Sequence, residues 1–163
     1  MTNELQYAAT AVLAACRARR WKLATAESCT GGLVAGALTE IAGSSDVLDR
    51  GFVTYSNEAK QQMLGVPQET LRDYGAVSRQ TAEAMARGVL LKSKVDLAVA
   101  ITGVAGPGGG SADKPVGLVH FAVESRDGTS MHAAKRYGDI GRKEVREKSV
   151  LQALAMLKDL AET

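Results

Sequence analysis

Several reactive side chains lie in the short segment Glu27-Ser28-Cys29-Thr30-Gly31-Gly32, where a predicted strand turns into a predicted helix. A hydroxyl in such a turn can act as a nucleophile, because the free N–H groups of a helix N-terminus stabilise the oxyanion that forms. Two glycines would let a ligand approach the backbone closely. A structural role is equally open at this point, since Ser28 or Thr30 could simply cap the helix.

Lys60 is a second candidate, and it follows the predicted strand residue Tyr55 by five positions. If a helix begins at Ser56 or Asn57, Lys60 lies in its first turn, where the helix dipole and partial burial lower the pKa of an ammonium group. A lysine that loses its proton near neutral pH can act as a general base, and Tyr55 could share that proton. The alternative is a solvated surface lysine beside a core tyrosine.

Two arginines, Arg142 and Arg146, are spaced one turn apart near the predicted start of the last helix. Asp139 is a candidate N-cap for this helix. Cations in a first helical turn oppose the dipole, so an anion bound close by would explain them. The alternative is a solvated, charged helix face.

Other familiar catalytic arrangements are absent from the sequence. It has no G-x-S-x-G elbow and no Walker A motif, and its glycine-rich segment 103–110 does not match G-x-G-x-x-G. Cys29 is a rival nucleophile, but its only candidate partners, His120 and His132, lie in predicted strands. The cysteines and histidines lack the spacing of zinc ligands, and the aspartates are scattered. We therefore predict no metal and no cofactor.

The hydrophobic pattern divides the chain into alternating helices and strands. Helices are predicted over residues 4–19, about 30–41, from 56 or 57 up to 65, from 78 onward and about 140–160. Strands are predicted over 22–26, 51–55, 95–101, 116–124 and 130–137, with a hairpin turn at 127–128. This order predicts an α/β fold, a three-layer α/β/α sandwich with a mixed sheet. We expect residues 1–163 to form a single domain.

Length and composition are those of an ordinary soluble globular protein. The 163 residues are 45% hydrophobic and 23% charged, with a net charge of +2 and two cysteines. The interspersed charges argue against binding to nucleic acid, and the lack of a long apolar run argues against a membrane span. The few cysteines, and an N-terminus without a leading positive charge, predict a cytoplasmic protein.

Long motifs make the chain resemble the CinA C-terminal domain family. They are T-A-E-S-C-T-G-G at 25–32, V-T-Y-S-N-x-x-K at 53–60, G-A-V-S at 75–78, A-I-T-G-V-A-G-P-G-G at 100–109, K-P-V-G-L-V at 114–119 and the helix start Gly141-Arg142. The resemblance covers nearly the whole chain, in order and without large gaps. Stand-alone members of this family are nicotinamide-nucleotide amidases.

The resemblance implies hydrolysis of the carboxamide of nicotinamide mononucleotide to nicotinic acid mononucleotide and ammonia, in the recycling of pyridine nucleotides. It assigns the nucleophile to Ser28, assisted by Lys60 and Tyr55, with no metal. Further matching positions are expected near the substrate: Thr30, Gly31, Gly32, Thr102, Gly103 and Arg142. Together with the residue chemistry, this gives the hypothesis that Lys60, with Tyr55 as a relay, takes the proton of Ser28.

The expected partner is the small-molecule substrate, with no nucleic acid and no membrane. The resemblance to the family also favours a homo-oligomer of two or more chains. Larger family members also carry an N-terminal domain linked to pyrophosphatase activity, which we expect to be absent here. A different hypothesis is a nucleotide-sensing or partner-binding module that keeps the pocket without chemistry. A lowered pKa of Lys60 would favour the enzyme over the binding module. A third hypothesis is an amidase for another pyridine or nucleotide carboxamide.

Overall fold

A mixed five-stranded sheet forms the middle layer of the protein, with helices on both faces. The structure is a computed structural model that describes residues 1–163. The helices are α1 (Asn3–Arg19), α2 (Leu33–Thr39), α3 (Asn57–Leu64), α4 (Gln68–Tyr74), α5 (Arg79–Lys92) and α6 (Arg142–Ala161). The strands are β1 (Leu23–Glu27), β2 (Leu48–Val53), β3 (Leu97–Gly103), β4 (Leu118–Ser125) and β5 (Ser130–Arg136). The predicted α/β sandwich with a mixed sheet is confirmed.

The strand order brings three carboxyl ends to one edge of the sheet. The order is β2-β1-β3-β4-β5, with β1 parallel to β2 and β3, while β4 and β5 continue the sheet antiparallel. At the end of β1, Glu27 lies between Val53 of β2 and Ile101 of β3. Ligand sites of open α/β sheets form beyond these carboxyl ends. The chain segments that follow β1 and β2 therefore meet the end of β3 there.

Two hydrophobic cores lie between the sheet and its helices, one on each face of the sheet. A cluster of 25 buried residues lies on the side of α1, α2 and α6, and a cluster of 14 lies on the side of α3, α4 and α5. On this second side the sheet presents small side chains, which let α5 pack closely: Ala24, Ala26, Ala98, Ala100 and Ala122. Strand β1 and nearly all of β3 are buried, as expected for central strands covered on both faces.

Serine caps determine where two helices begin. The Ser56 hydroxyl accepts a hydrogen bond from the Ala59 N–H at 2.9 Å, and Ser78 accepts one from Thr81 at 3.1 Å. The predicted starts of α3 and α5 are thereby confirmed. Gly65 ends α3 with a φ of 68°, a conformation that favours glycine.

Other predicted boundaries are wrong. The helix expected from residue 30 begins only at Leu33, because Gly31 and Gly32 have φ angles of 57° and 103° that cannot continue a right-handed helix. Asp139 does not cap the last helix; Gly141 occupies the N-cap without a side-chain hydrogen bond. Helix α4 is absent from the prediction, since its seven residues are too few to show a clear periodicity.

Candidate active site

Ser28 and Lys60 are in direct contact at the carboxyl edge of the sheet. Ser28 follows β1 directly, and its N–H donates to the carbonyl of Ile101 in β3 at 2.9 Å. Lys60 lies in the first turn of α3, which follows the neighbouring strand β2, and its side chain is only 1% exposed. Its Nζ lies 2.9 Å from the Ser28 Oγ. The two side chains singled out from separate segments of the sequence thus form a hydrogen-bonded pair.

The surroundings of Lys60 favour its neutral form. Burial lowers the pKa of Lys60 from 10.5 to about 8, and it forms no ion pair with a carboxylate. Its Nζ also donates to the carbonyls of Thr54, at 2.8 Å, and Tyr55, at 3.4 Å. When Lys60 is neutral, its two N–H bonds can remain on these carbonyls while its lone pair faces the Ser28 hydroxyl. This geometry suits a base that activates a serine.

Cys29 is poorly suited to act as the nucleophile. It is buried beside Ser28, and burial raises the pKa of its thiol from 9.0 to about 12, so the reactive thiolate is disfavoured. His120 and His132 lie in β4 and β5, as predicted, and their ring nitrogens Nδ1 and Nε2 are 3.1 Å apart. These histidines pair with each other across the hairpin rather than with Cys29.

A small cavity opens onto the Ser28–Lys60 pair. Its volume is about 170 Å³, and it is lined by Ser28, Cys29, Tyr55, Asn57, Lys60, Ala76, Val77, Thr102, Gly103, Ala105 and Arg142. Six of the predicted site residues therefore line this cavity: Ser28, Tyr55, Lys60, Thr102, Gly103 and Arg142. Asn57 and the segment 76–77 were not among the predicted residues. The sequence signals for them are their places in the family motifs at 53–60 and 75–78 and their position beside the N-caps of α3 and α5.

Tyr55 is placed differently from the predicted proton relay. Strand β2 ends at Val53, so Tyr55 lies beyond the strand and is 63% exposed. Its hydroxyl accepts a hydrogen bond from Arg142 Nη2 at 2.8 Å, and only its backbone carbonyl contacts Lys60. Arg142 Nη1 donates to the carbonyl of Gly106 at 2.8 Å as well. The Tyr55–Arg142 pair thus borders the cavity, and the phenol makes no hydrogen bond to Lys60.

The two predicted threonines use their hydroxyls inside the protein. Thr102 Oγ1 donates to the carbonyl of Ala76 at 2.8 Å, which ties β3 to the segment before α5. Thr30 is fully buried, and its Oγ1 donates to Glu27 Oε1 at 2.6 Å. The Thr30 hydroxyl is therefore not available to a ligand, and Thr30 does not line the cavity. Gly31 and Gly32 do not line the cavity; a side chain on Gly31 would meet Arg146 Nη2 at 3.2 Å.

Glu27, which sequence reasoning did not assign to the site, organises the turn that carries Ser28. Its buried carboxylate accepts hydrogen bonds from Val34 N at 2.8 Å and Ala35 N at 3.1 Å, in the first turn of α2, as well as from Thr30. The N–H groups expected to attract a substrate anion are thus occupied by a carboxylate of the chain itself. The signal available in the sequence was an acidic residue shortly before a helix start.

Comparison with known proteins settles the family. A sequence model of the CinA C-terminal domain matches residues 5–161. The chain belongs to the CinA C-terminal domain family. Within this family, the nicotinamide-nucleotide amidohydrolase PncC of Enterobacter agglomerans is 54% identical over 124 residues, which cover 76% of this chain and 76% of that protein. A CinA-like protein of Synechococcus sp. is 54% identical over 151 residues, covering 92% of this chain and 36% of that protein. The chain spans about a third of the length of several curated relatives that it matches.

Solved structures of the family share the whole fold. The crystal structure of the competence/damage inducible protein CihA from Agrobacterium tumefaciens has a TM-score of 0.96 and 57% identity, covering 98% of this chain and 97% of that chain. A CinA superfamily protein from Klebsiella pneumoniae has a TM-score of 0.91 and 39% identity, covering 96% and 97%. None of the helices is both long and apolar enough to cross a lipid bilayer.

Proposed function

We propose that the protein hydrolyses the carboxamide of nicotinamide mononucleotide to nicotinic acid mononucleotide and ammonia, with Ser28 as the nucleophile. The 54%-identical relative named nicotinamide-nucleotide amidohydrolase supports the reaction class. The observation that carries the proposal is the 2.9 Å contact between Ser28 Oγ and a buried Lys60 whose pKa is lowered to about 8. A binding module does not require a serine in contact with a lysine whose pKa is lowered, whereas a serine amidase does.

The first half of the reaction forms an acyl-enzyme. Neutral Lys60 takes the proton of Ser28 as Oγ attacks the amide carbon, and the carbonyl oxygen becomes an oxyanion. The backbone N–H groups of Cys29 and Thr30 form no hydrogen bond to the backbone of another residue, so we assign them to this oxyanion. The tetrahedral intermediate then collapses: the C–N bond breaks, the protonated Lys60 gives its proton to the leaving nitrogen, and ammonia departs.

In the second half of the reaction, water takes the place of Ser28 as the nucleophile. Lys60, neutral again, takes a proton from a water molecule that attacks the ester carbon. The bond to Ser28 Oγ breaks, Oγ recovers the proton from Lys60, and nicotinic acid mononucleotide leaves. Each proton passes through Lys60, so the scheme needs no proton transfer through the Tyr55 phenol, which is bound to Arg142.

Arg142 and Tyr55 are proposed to act on the substrate at the mouth of the cavity. The cavity of about 170 Å³ has room for a pyridine carboxamide but leaves the ribose and phosphate outside. Arg142 is exposed and donates hydrogen bonds to the Tyr55 hydroxyl and the Gly106 carbonyl. The phosphate of the substrate could replace these two acceptors. The backbone at Thr102 and Gly103 would form the opposite wall.

The test is ammonia release from nicotinamide mononucleotide by the purified protein, with and without a metal chelator. We expect ammonia and nicotinic acid mononucleotide in equal amounts, unchanged by the chelator, and slower release from free nicotinamide, which lacks the phosphate. If no ammonia appears while the nucleotide still raises the melting temperature, the binding module is correct and the amidase is wrong. If another carboxamide is hydrolysed faster, the reaction type stands and the substrate is wrong.

A further inference from the structure

Arg146 donates hydrogen bonds to the turn that carries the proposed nucleophile. Its Nε donates to the carbonyl of Cys29 at 3.1 Å, and its Nη2 lies 3.4 Å from the carbonyl of Thr30. It forms no ion pair with a carboxylate. Arg146 is half-buried in the second turn of α6, so its guanidinium needs hydrogen-bond acceptors within the protein. The two carbonyls of the Ser28 turn are such acceptors.

The contact with Cys29 determines where one N–H group points. In a trans peptide the carbonyl oxygen and the N–H of the next residue point in opposite directions. Because the Cys29 carbonyl faces Arg146, the Thr30 N–H faces away from it. That N–H has no acceptor in the chain, although Thr30 is fully buried. A buried N–H without a partner is uncommon in folded proteins, and Thr30 directly follows Cys29, which lines the cavity, so this N–H is a candidate donor to the oxyanion.

The turn is held from two sides. A hydrogen bond from the Gly31 N–H to the Ser28 carbonyl, 3.1 Å long, closes the turn and leaves the N–H groups of Cys29 and Thr30 unpaired. On one side the Glu27 carboxylate holds the Thr30 hydroxyl. On the other side the Arg146 guanidinium lies against Gly31, where an added Cβ would come within 3.2 Å of Nη2. The peptide between Cys29 and Thr30 is therefore fixed before any substrate binds.

We propose that Arg146 is a positioning residue that holds the Cys29–Thr30 peptide with its N–H directed at the oxyanion and strengthens that N–H as a donor. The inference rests on the proposed amidase function. A carbonyl that accepts a hydrogen bond from a cation draws electron density from its amide, so the N–H on the same peptide becomes a stronger donor. Arg146 thus acts on the transition state through the backbone, without touching the substrate.

The test compares Arg146→Met and Arg146→Lys with wild type and with Lys143→Met, a control on the exposed face of the same helix. Loss of one oxyanion donor lowers kcat by about 100-fold or more, and a misdirected donor should cost about 10- to 100-fold. We expect Arg146→Met to show this loss in kcat with KM within about 3-fold of wild type, because ground-state binding does not use the N–H. Arg146→Lys should recover part of kcat, and Lys143→Met should match wild type.

The outcomes separate this inference from the proposed function. If wild type releases no ammonia, the amidase proposal fails. If wild type is active and Arg146→Met keeps its kcat, the inference alone is wrong. A KM that rises in place of a falling kcat would place Arg146 on the substrate and also overturn the inference. The pH at which kcat/KM levels off should be the same in every variant, because Lys60 is untouched. A displaced pH profile would mean that Arg146 acts on the base, and it would also overturn the inference. If Arg146→Met does not fold, Arg146→Gln takes its place under the same criteria, and Arg146→Lys stays the rescue variant.

Discussion

At the scale of single residues, burial lowers the pKa of Lys60 and so supports its proposed role as a base. The sequence suggested a base at this position because the helix dipole and partial burial both lower the pKa of a lysine there. In the structure the side chain is almost completely buried, and desolvation lowers its pKa. No sequence spacing reveals that contact, because 32 residues separate the two side chains. The residue types could be predicted, whereas their pairing required the fold.

The pH dependence of the reaction follows from this lysine. The base works only when neutral, so kcat/KM should rise with pH and level off above the Lys60 pKa of about 8. Lys60→Arg keeps the positive charge at all accessible pH values, and we expect it to lose activity by about 100-fold or more. Steady-state ammonia release measured across this range checks both expectations. A flat profile through pH 8 would rule out Lys60 as the base.

At the scale of elements, the site depends on the turn between β1 and α2 and on the placement of α3. The sequence predicted a strand, a turn and a helix at the first location, but it started the helix three residues too early. The reason is specific: Glu27 already supplies the capping acceptors, so the two glycines can leave the helical conformation. An acidic cap buried at the end of a strand is a tertiary feature. Hydrophobic periodicity cannot detect it.

Gly88 of α5 lets α3 approach closely enough to deliver Lys60. A Cβ at Gly88 would lie 2.9 Å from the Leu64 side chain and would clash with the Leu64 carbonyl. Alanine normally stabilises a helix relative to glycine by about 1 kcal/mol. We nevertheless expect Gly88→Ala to destabilise the protein by about 2 kcal/mol, as overpacking does, and to lower kcat because α3 moves.

The matched control is Gly36→Ala in α2, where an added Cβ meets nothing within 4 Å. This change should raise the free energy of unfolding by up to about 1 kcal/mol. Urea unfolding and ammonia release on both variants provide the measurement. Equal effects of the two substitutions would show that the α3–α5 contact does not matter for the site.

At the scale of the whole molecule, the layered architecture was the most predictable feature. Early alternation of helices and strands, followed by a hairpin at residues 127–128, gave the three layers and the mixed sheet before any contact was known. The segments after β1, β2 and β3 converge because these three strands are parallel neighbours. The sequence predicted a mixed sheet but not this strand order. The extent of the domain and the expected homo-oligomer stay predictions. Light scattering in solution would test the latter.

The histidine pair makes global stability depend on pH. Burial, and then the charge of His132, lowers the pKa of His120 from 6.5 to about 4, and the pKa of His132 is lowered as well. Below pH 6.5 His120 binds a proton in the unfolded chain but stays neutral in the folded chain until the pH approaches 4. The free energy of unfolding should therefore fall as the pH decreases from 6.5 towards 4. The full shift corresponds to about 3 kcal/mol, and half-exposure should reduce this to about 1 to 2 kcal/mol.

His120→Gln isolates this contribution, because glutamine cannot titrate. Over the same pH range its free energy of unfolding should decline less steeply than that of wild type, by the amount attributed to the pair. Lys114, Arg136, Arg79 and Glu83 are the other charged groups that act on these rings, and they are unchanged in the variant. Identical slopes for variant and wild type would mean that the pair carries no such penalty.

The central claim is that Ser28 attacks the carboxamide, and its most direct test is turnover of nicotinamide mononucleotide by Ser28→Ala. Ser130→Ala, at the exposed start of β5, is the matched control. We predict that Ser28→Ala loses more than about 1,000-fold in kcat, as serine hydrolases do without their nucleophile, while binding the nucleotide within a few-fold of wild type. Ser130→Ala should keep full activity. Turnover by Ser28→Ala within about 10-fold of wild type would contradict the account and move the nucleophile elsewhere in the cavity.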